Sequence, residues 1–599
     1  MNACSRTILK KLLFPGVGSF ATAMEALHAK GYVEPLRTYI ASGKPIMGIC
    51  VGMQVLFQGS DESPGVLGLG VVPARVGSFL PEDAHGRKAV PHMGWSLATV
   101  VDVKDESIDS KSRGTESTSS RQQLGTSYGL PVTEPAHFYF VHSFRVAYDE
   151  SIAPWTLTTT QYGSETFVSS IQRGNVFATQ FHPEKSGQAG LNLLAAWLHL
   201  DDAALHATKD ARIRRPMATH ERMPTRRIVA CLDVRSNDDG DLVVTKGESY
   251  NVRERQPAEG QARSTADGTV RSGGKAQVRN MGKPVELAQR YYEEGADEIA
   301  FLNITSFRNW ALGDQPMLSL LNVAAATIFV PLTVGGGIRD FTDPDGTFHP
   351  ALEVAHAYFR AGADKVSIGS EAVYAVEQLL QRATELGDCT GDPCAAPAMA
   401  LRGDTGIEQI AHKYGVQAVV VSVDPKRVYL SDQEIDGLSD EHSSGDGPID
   451  ARTHPHASSI VCGQDERPET AGQSARWWYM CTVKGGRESR DIDVVQLARG
   501  VERLGAGELL INSIDRDGSY AGFDEKLIDL VRGCVNIPVI ASSGAGCADH
   551  FCDVLASRPA ARGAPIEAAL AAGIFHRREV SIMDVKKRCA DAGYPVRMS

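Results

Sequence analysis

In GKPIMGICVGMQVLF a single cysteine, Cys50, sits between Gly48 and Gly52 where one apolar run meets another. The run from Ile46 to Ile49 predicts a short strand, and Met53 to Phe57 opens an amphipathic helix, so the residues between must turn sharply. Such a turn lifts one side chain off a sheet and aims backbone N–H groups at it, which an acyl-transfer nucleophile requires. An isolated cysteine is most often a small core residue. The segment NVFATQFHPEKSG changes that balance. Val176 to Phe181 predicts a strand, and His182 and Glu184 follow at its end. A thiol, an imidazole and a carboxylate make an activated sulfur nucleophile: the imidazole takes the thiol proton and the carboxylate fixes its tautomer.

A second chemistry is written in carboxylates and glycines. RIVACLDV is echoed by QAVVVSVDP, GADEIAFLNIT by GAGELLINSID, VPLTVGGGI by IPVIASSGAG, and GADKVSIGS more loosely by IEAALAAGIF. Two copies of four near-continuous apolar runs, separated by helical stretches such as PVELAQRYYEEG, predict an eight-stranded β/α barrel. Working residues of such barrels lie at strand C-termini. There Asp233 closes the first strand and Asp424 the fifth, half a repeat apart, as a general acid and base across the mouth would be. An aspartate at one strand end is commonly a turn or helix cap, and its recurrence in both halves argues against that. Glycine-rich loops follow the third strand (Gly335, Gly336, Gly337), the fourth (Gly369, Ser370), the seventh (Ser542, Ser543, Gly544, Gly546) and the eighth (Ala572, Gly573). Open backbone N–H groups there would cradle phosphate, and a doubled set implies a bisphosphate ligand.

The elements that position these residues need room, and 599 residues allow two to four domains. A net charge of −12 argues against nucleic acid or an anionic membrane as the main partner. Eleven cysteines without CxxC spacing predict thiols in a reducing compartment. MNACSRTILKKLLFPG has too short an apolar core for a signal peptide, and no run has membrane-spanning length, so the chain reads as soluble. Composition divides it into a first unit at 1–206, a polar, basic linker at 207–225 and the barrel at 226–599. Stretches at 104–127, 254–277 and 431–474 read as solvated insertions. The sequence carries no metal-ligand or cofactor motif, and the chemistry above needs none.

Together GICVGMQ, HPEKSG, ACLDV, VVTKG, TVGGGI, ADKVSI, SVDPKRV, KGGRESRD and SIDRDG resemble the bifunctional imidazole glycerol phosphate synthases of histidine biosynthesis, over nearly all the chain outside linker and insertions. The resemblance implies an α/β chain: a class I glutamine amidotransferase domain, with an open parallel-type sheet truncated at its N-terminus, fused to a (β/α)8 TIM barrel. It implies that Cys50, with His182 and Glu184, hydrolyses glutamine, and that ammonia crosses the barrel to a ribulosyl-aminoimidazole-carboxamide bisphosphate, giving imidazole glycerol phosphate and the carboxamide ribonucleotide. Gly16 and Gly18 then belong to the oxyanion strand, Gln54 contacts glutamine, and Asp233 and Asp424 are the acid/base pair. Lys246 matches the flexible-loop lysine, while Gly336, Gly337, Gly369, Ser370, Asp517, Gly518, Ser543, Gly544 and Gly573 match substrate-binding positions. Arg227, Glu298, Lys365 and Glu508 match a charged ring that gates ammonia, although alternating charges at strand starts ordinarily serve stability. No cofactor, metal, nucleic acid or membrane is implied; one chain carries both activities, as a monomer in the cytoplasm, or in a plastid if the true N-terminus is longer.

Two departures are visible. Only fourteen residues precede Pro15, whereas the resemblance implies about one further βαβ unit, ~30 residues, ahead of it. A late start codon is the expected explanation; the alternative is a barrel fed by dissolved ammonia beside a defective glutaminase. Asn303 stands where many barrel-only relatives have an acid, as in the fused members.

Overall fold

The computed structural model describes residues 10–84, 86–103, 136–199, 214–215, 223–236, 242–245, 253–255, 276–278, 282–304, 312, 316–388, 390–431, 456, 459–463, 473–556 and 565–598. The first unit is built on one seven-stranded sheet: β1 (Leu12–Gly16), β2 (Ile46–Cys50), β3 (His92–Val100), β4 (Ala136–His142), β5 (Thr156–Tyr162), β6 (Glu165–Arg173) and β7 (Val176–Thr179). Their spatial order is β1-β2-β7-β6-β5-β3-β4. β2 is buried along its whole length, as its apolar run requires of a central strand. The parallel arrangement expected from sequence is confined to β1, β2 and β7, and every other pairing is antiparallel. The reason is connection length. Only Gly163 and Ser164 separate β5 from β6, and two residues can make a hairpin but not a crossover.

The second unit is a closed barrel of eight parallel strands: β8 (Arg227–Ser236), β9 (Glu298–Asn303), β10 (Leu332–Gly335), β11 (Lys365–Ile368), β12 (Val419–Val423), β13 (Glu508–Asn512), β14 (Val539–Ser542) and β15 (Ala568–Ala571). Each pairs with the next, and β15 pairs back to β8. Val229, Cys231, Ala300, Val420, Leu510, Ile540 and Leu570 form a separate apolar cluster contributed by strands from around the barrel. Amphipathic helices such as Val494–Leu504, started by an Asp493 capping box, cover the outside.

The first unit covers the strand-start end of the barrel. Val90 N donates to the Asn536 carbonyl at 3.0 Å and Gly187 N to that of Phe329 at 2.9 Å, both just upstream of barrel strands. Lys185 pairs with Asp364 at 2.8 Å, beside the first residue of β11. The Trp95 indole donates to the Asp297 carbonyl at 3.2 Å, while the Arg597 guanidinium lies 4.1 Å from the Trp95 ring.

Of the expected insertions, 104–127 lies outside the described residues, as do 256–275 of the second, all of the third between 432 and 472 except 456 and 459–463, and most of the linker. Where their ends are described they are paired. Arg253–Arg255 runs antiparallel to Ala276–Val278, and Pro425–Ser431 runs antiparallel to Gln473–Val483.

Candidate active sites

Cys50 ends β2 at φ 55 and ψ −111, a left-handed backbone in which only the tight turn holds a non-glycine residue. The helix begins at once, as Val51–Gln54, earlier and shorter than the Met53 to Phe57 expected. Gly52 makes this possible: a Cβ there would lie 2.0 Å from the Phe14 carbonyl oxygen of β1. The parallel register sets Gly16 opposite Cys50, and Gly18 follows at φ 117. Gly16 is therefore level with Cys50 in the sheet.

β7 ends at Thr179, two residues short of the expected strand, and delivers His182 and Glu184 to the same place. His182 Nδ1 donates to Glu184 Oε1 at 2.7 Å, which leaves Nε2 as the basic atom; Nε2 is buried with no hydrogen-bond partner among the described residues. Burial by itself would hold the imidazole down, yet the Glu184 carboxylate and the Cys50 sulfur lift it well above its ordinary range. No well-aligned hydrogen bond joins Cys50 to Nε2. Burial likewise opposes ionisation of Glu184, and the His182 imidazole overcomes it, drawing the carboxyl below its usual value. Gln54, 3 % exposed, lies inside this group and donates to the Phe144 carbonyl and to Gln180 Oε1, both at 3.1 Å.

Tyr139 joins this site to the barrel. Its carbonyl accepts from His182 N at 2.9 Å, and its buried hydroxyl lies in the field of the ring residues: burial first, then the Glu298 carboxylate, hold the phenol un-ionised. The ring itself is closed. Arg227 Nη1 binds Glu298 at 2.7 Å and Nη2 binds Glu508; Lys365 Nζ binds Glu298 at 2.6 Å and Glu508 at 2.5 Å. All four side chains are at most 1 % exposed, and each cation pairs with both buried carboxylates, so the ring as a whole is neutral.

At the opposite end of the barrel, β8 runs three residues past Asp233, and Asp424 follows directly on β12. Burial, then the Asp517 carboxylate, pushes Asp233 up to about 7. Burial, then Asp424, raises Asp517. Burial raises Asp424 too, opposed by Asn512 Nδ2, which donates to Asp424 Oδ1 at 2.9 Å. Three carboxylates thus share the mouth, linked through Asp517. Gly518, at φ 69, follows in the same turn.

The expected phosphate loops lie around that mouth. Gly336 (φ 90) and Gly337 (φ 82) follow β10, and Ser543 (φ 75) and Gly544 (φ 98) follow β14. Gly369 precedes the helix Ser370–Glu385 with open space where a Cβ would be, and the Ser370 hydroxyl accepts from Lys484 N at 2.8 Å. Gly573 opens the short helix after β15. Lys246 lies outside the described residues. Gln180, Asn512 and Tyr139 were not singled out from sequence; the signal for Gln180 was its place two residues before His182.

A sulfur nucleophile on a class I amidotransferase-like sheet, set against the closed end of a barrel with acid at its mouth, defines a glutamine amidotransferase joined to a cyclase. A family model described as glutamine amidotransferase class-I matches residues 6–199, and one described as histidine biosynthesis protein matches 227–391 and 450–581. The chain is 47% identical to the imidazole glycerol phosphate synthase hisHF of Emericella nidulans, over 98% of this chain and 92% of that one. It is 47% identical to the protein of the same name from Schizosaccharomyces pombe, over 97% and 91%, and 44% identical to the chloroplastic one of Arabidopsis thaliana, over 98% and 83%. The chain belongs to the fused imidazole glycerol phosphate synthases, enzymes that carry an amidotransferase and a cyclase domain in one polypeptide. No helix among the described residues is long and apolar enough to cross a membrane.

Proposed function

We propose that Cys50 hydrolyses glutamine and that the ammonia released crosses the barrel to a ribulosyl-aminoimidazole-carboxamide bisphosphate, yielding imidazole glycerol phosphate and the carboxamide ribonucleotide. The observation that carries this reading is the continuity from Cys50 and His182, through Tyr139, to the charged ring at the barrel's closed end. His182 Nε2 takes the thiol proton while Glu184 holds Nδ1–H. The thiolate adds to the glutamine carboxamide carbon, oriented by Gln54, with the developing oxyanion facing the Gly16–Gly18 backbone. Imidazolium then returns the proton to the leaving nitrogen, and water cleaves the thioester. Ammonia is neutral and small, so the ring of Arg227, Glu298, Lys365 and Glu508 has only to part locally for it to reach the apolar cluster of the barrel.

At the mouth, Asp233 is half protonated near neutrality and serves as the acid, while Asp424, held by Asn512, serves as the base. Asp517 keeps the Asp233 proton in place, and Gly518 turns with it. One phosphate binds at Gly336, Gly337, Gly369 and Ser370, the other at Ser543, Gly544 and Gly573, and Lys246 closes over the substrate. The units run over 1–206 and 226–599, joined by 207–225, in a cytoplasmic monomer.

The test is release of carboxamide ribonucleotide from the purified chain, given the bisphosphate with glutamine or with ammonium salt at alkaline pH. Release with both supports the coupled reaction. Release with ammonium alone reduces it to a cyclase beside an inactive glutaminase, and silence in both overturns it.

A further inference from the structure

Gln180 is fully buried beside the sulfur site, and the roles above give it no task. The oxygen and nitrogen of an amide have the same shape, so their orientation must follow from their neighbours. One neighbour, the Phe144 carbonyl, can only accept. The Gln54 atom 3.1 Å from it is therefore the nitrogen. That nitrogen also lies 3.1 Å from Gln180, so the Gln180 atom facing it is the oxygen. The remaining atom, Gln180 Nε2, lies 3.6 Å from the Cys50 sulfur and donates to it.

The Phe144 carbonyl is itself held. His142 Nδ1 donates to the Phe144 carbonyl at 2.8 Å, so its Nε2 accepts from His92 Nδ1 at 3.1 Å. His92 Nε2 in turn accepts from the Ser96 hydroxyl at 3.0 Å. Burial lowers His92 well below its ordinary value and pushes His142 down to about 3, so both rings stay neutral with one proton each. Hydrogen bonds thus run in one sense from Ser96 to the Phe144 carbonyl, and from Gln54 through Gln180 to the sulfur.

We propose that Gln180 is a catalytic hydrogen-bond donor to the Cys50 sulfur, stabilising its anion while His182 holds the proton, with Gln54 fixing the orientation of the donor. In that step the S–H bond breaks, its electron pair stays on sulfur, and the proton forms an N–H bond at His182 Nε2. An N–H donor aimed at the sulfur favours the charged product over the thiol. The proposal rests on Cys50 being the nucleophile.

The experiment compares Gln180→Glu, which keeps the size but replaces the donor with an acceptor and a charge, with Gln180→Met, which removes the donor alone. The pH–rate profile of Cys50 alkylation by iodoacetamide is followed by peptide mass spectrometry, alongside glutamine hydrolysis and ammonium-dependent cyclisation on the same preparation. Cyclisation reports that the barrel is intact, and a circular-dichroism melt matching the parent that the unit holding Gln180 is folded. The expected result is an upward move of the alkylation midpoint by about one pH unit for Met and more for Glu. Glutamine kcat should fall about ten-fold or more, with KM within about three-fold. An alkylation profile unmoved in both variants overturns the proposal even if hydrolysis slows, because a merely structural glutamine would slow turnover without moving the profile. If alkylated Cys50 left glutamine hydrolysis intact, the nucleophile reading itself would fall, and the proposal with it.

Discussion

Around Cys50 the polar side chains are held by partners within the same unit: His182 by Glu184, Gln54 by the Phe144 carbonyl, and Gln180 by Gln54. At the barrel mouth burial raises Asp233, Asp517 and Asp424, Asp517 raises Asp233 further and Asp424 raises Asp517, while Asn512 donates to Asp424. The first arrangement is settled before any substrate arrives, and its chemistry needs one proton moved over a short path. The second buries carboxylates beside like charges, and burial first, then that repulsion, keeps a carboxylic acid protonated near neutral pH at a cost in stability. The ring between them has buried charges like the mouth but complementary ones like the sulfur site, and the comparison can be broken at any of the three places.

The largest effect should come from the chemistry itself. Cys50→Ala is expected to cut glutamine-dependent product formation by about a thousand-fold or more while sparing ammonium-dependent formation, whereas Asp233→Asn should stop both. Equal losses in the two assays would dissolve the distinction between the sites.

Next comes the ring. Lys365→Met leaves Glu298 and Glu508 sharing Arg227 alone, a loss of one buried partner that should destabilise the chain by about 3–5 kcal/mol. Denaturant midpoints measure this, and adding Glu508→Gln should recover part of the loss.

A gain of smaller size is expected at the mouth. The folded-state value of Asp233, about 7, lies above the 3.8 of an ordinary aspartate, so the native state holds its proton more tightly than the unfolded chain does. Native stability from this group therefore falls as pH rises from about 4 to about 7. Asp233→Asn removes that slope. Calorimetry should find the variant melting higher than the parent at pH 8 and level with it near pH 4, and a lower midpoint at pH 8 would refute the stability cost.

The smallest effect belongs to the partly exposed pair between the units. Lys185→Met should change stability by about 0–1 kcal/mol, visible only as a slight shift in melting midpoint.

The parts of this design legible in the sequence are those written as local patterns. Cys50 between glycines marks a turn, HPE marks a strand end, and the doubled strand motifs of the barrel reveal themselves by repetition. The antiparallel half of the first sheet is harder to read, because β5 and β6 are rich in threonine, serine and glutamine without a clean alternation, and only the two-residue link between them decides the matter. The ring was legible only through family resemblance, since a strand-start charge looks the same whether it pairs across a lumen or faces water. Gln180 and Asp517 act through partners far away in sequence, Gln54 at a separation of 126 and Asp424 at the end of the neighbouring barrel strand, and such contacts leave no periodic trace.

The crowding at Gly52 has a consequence for how the chain can vary. A Cβ there would meet the Phe14 carbonyl at 2.0 Å, backbone against backbone, and no rotamer can relieve it. At Gly369, in the barrel, a Cβ would meet nothing within 4 Å. In a library carrying every substitution, Gly52 should be empty of survivors, as should Gly336 and Gly544 of the barrel loops, where a Cβ would lie 2.1 and 2.2 Å from a carbonyl oxygen, while Gly369 should accept alanine, so that tolerance alone would separate the positions that backbone crowding fixes from those it leaves free.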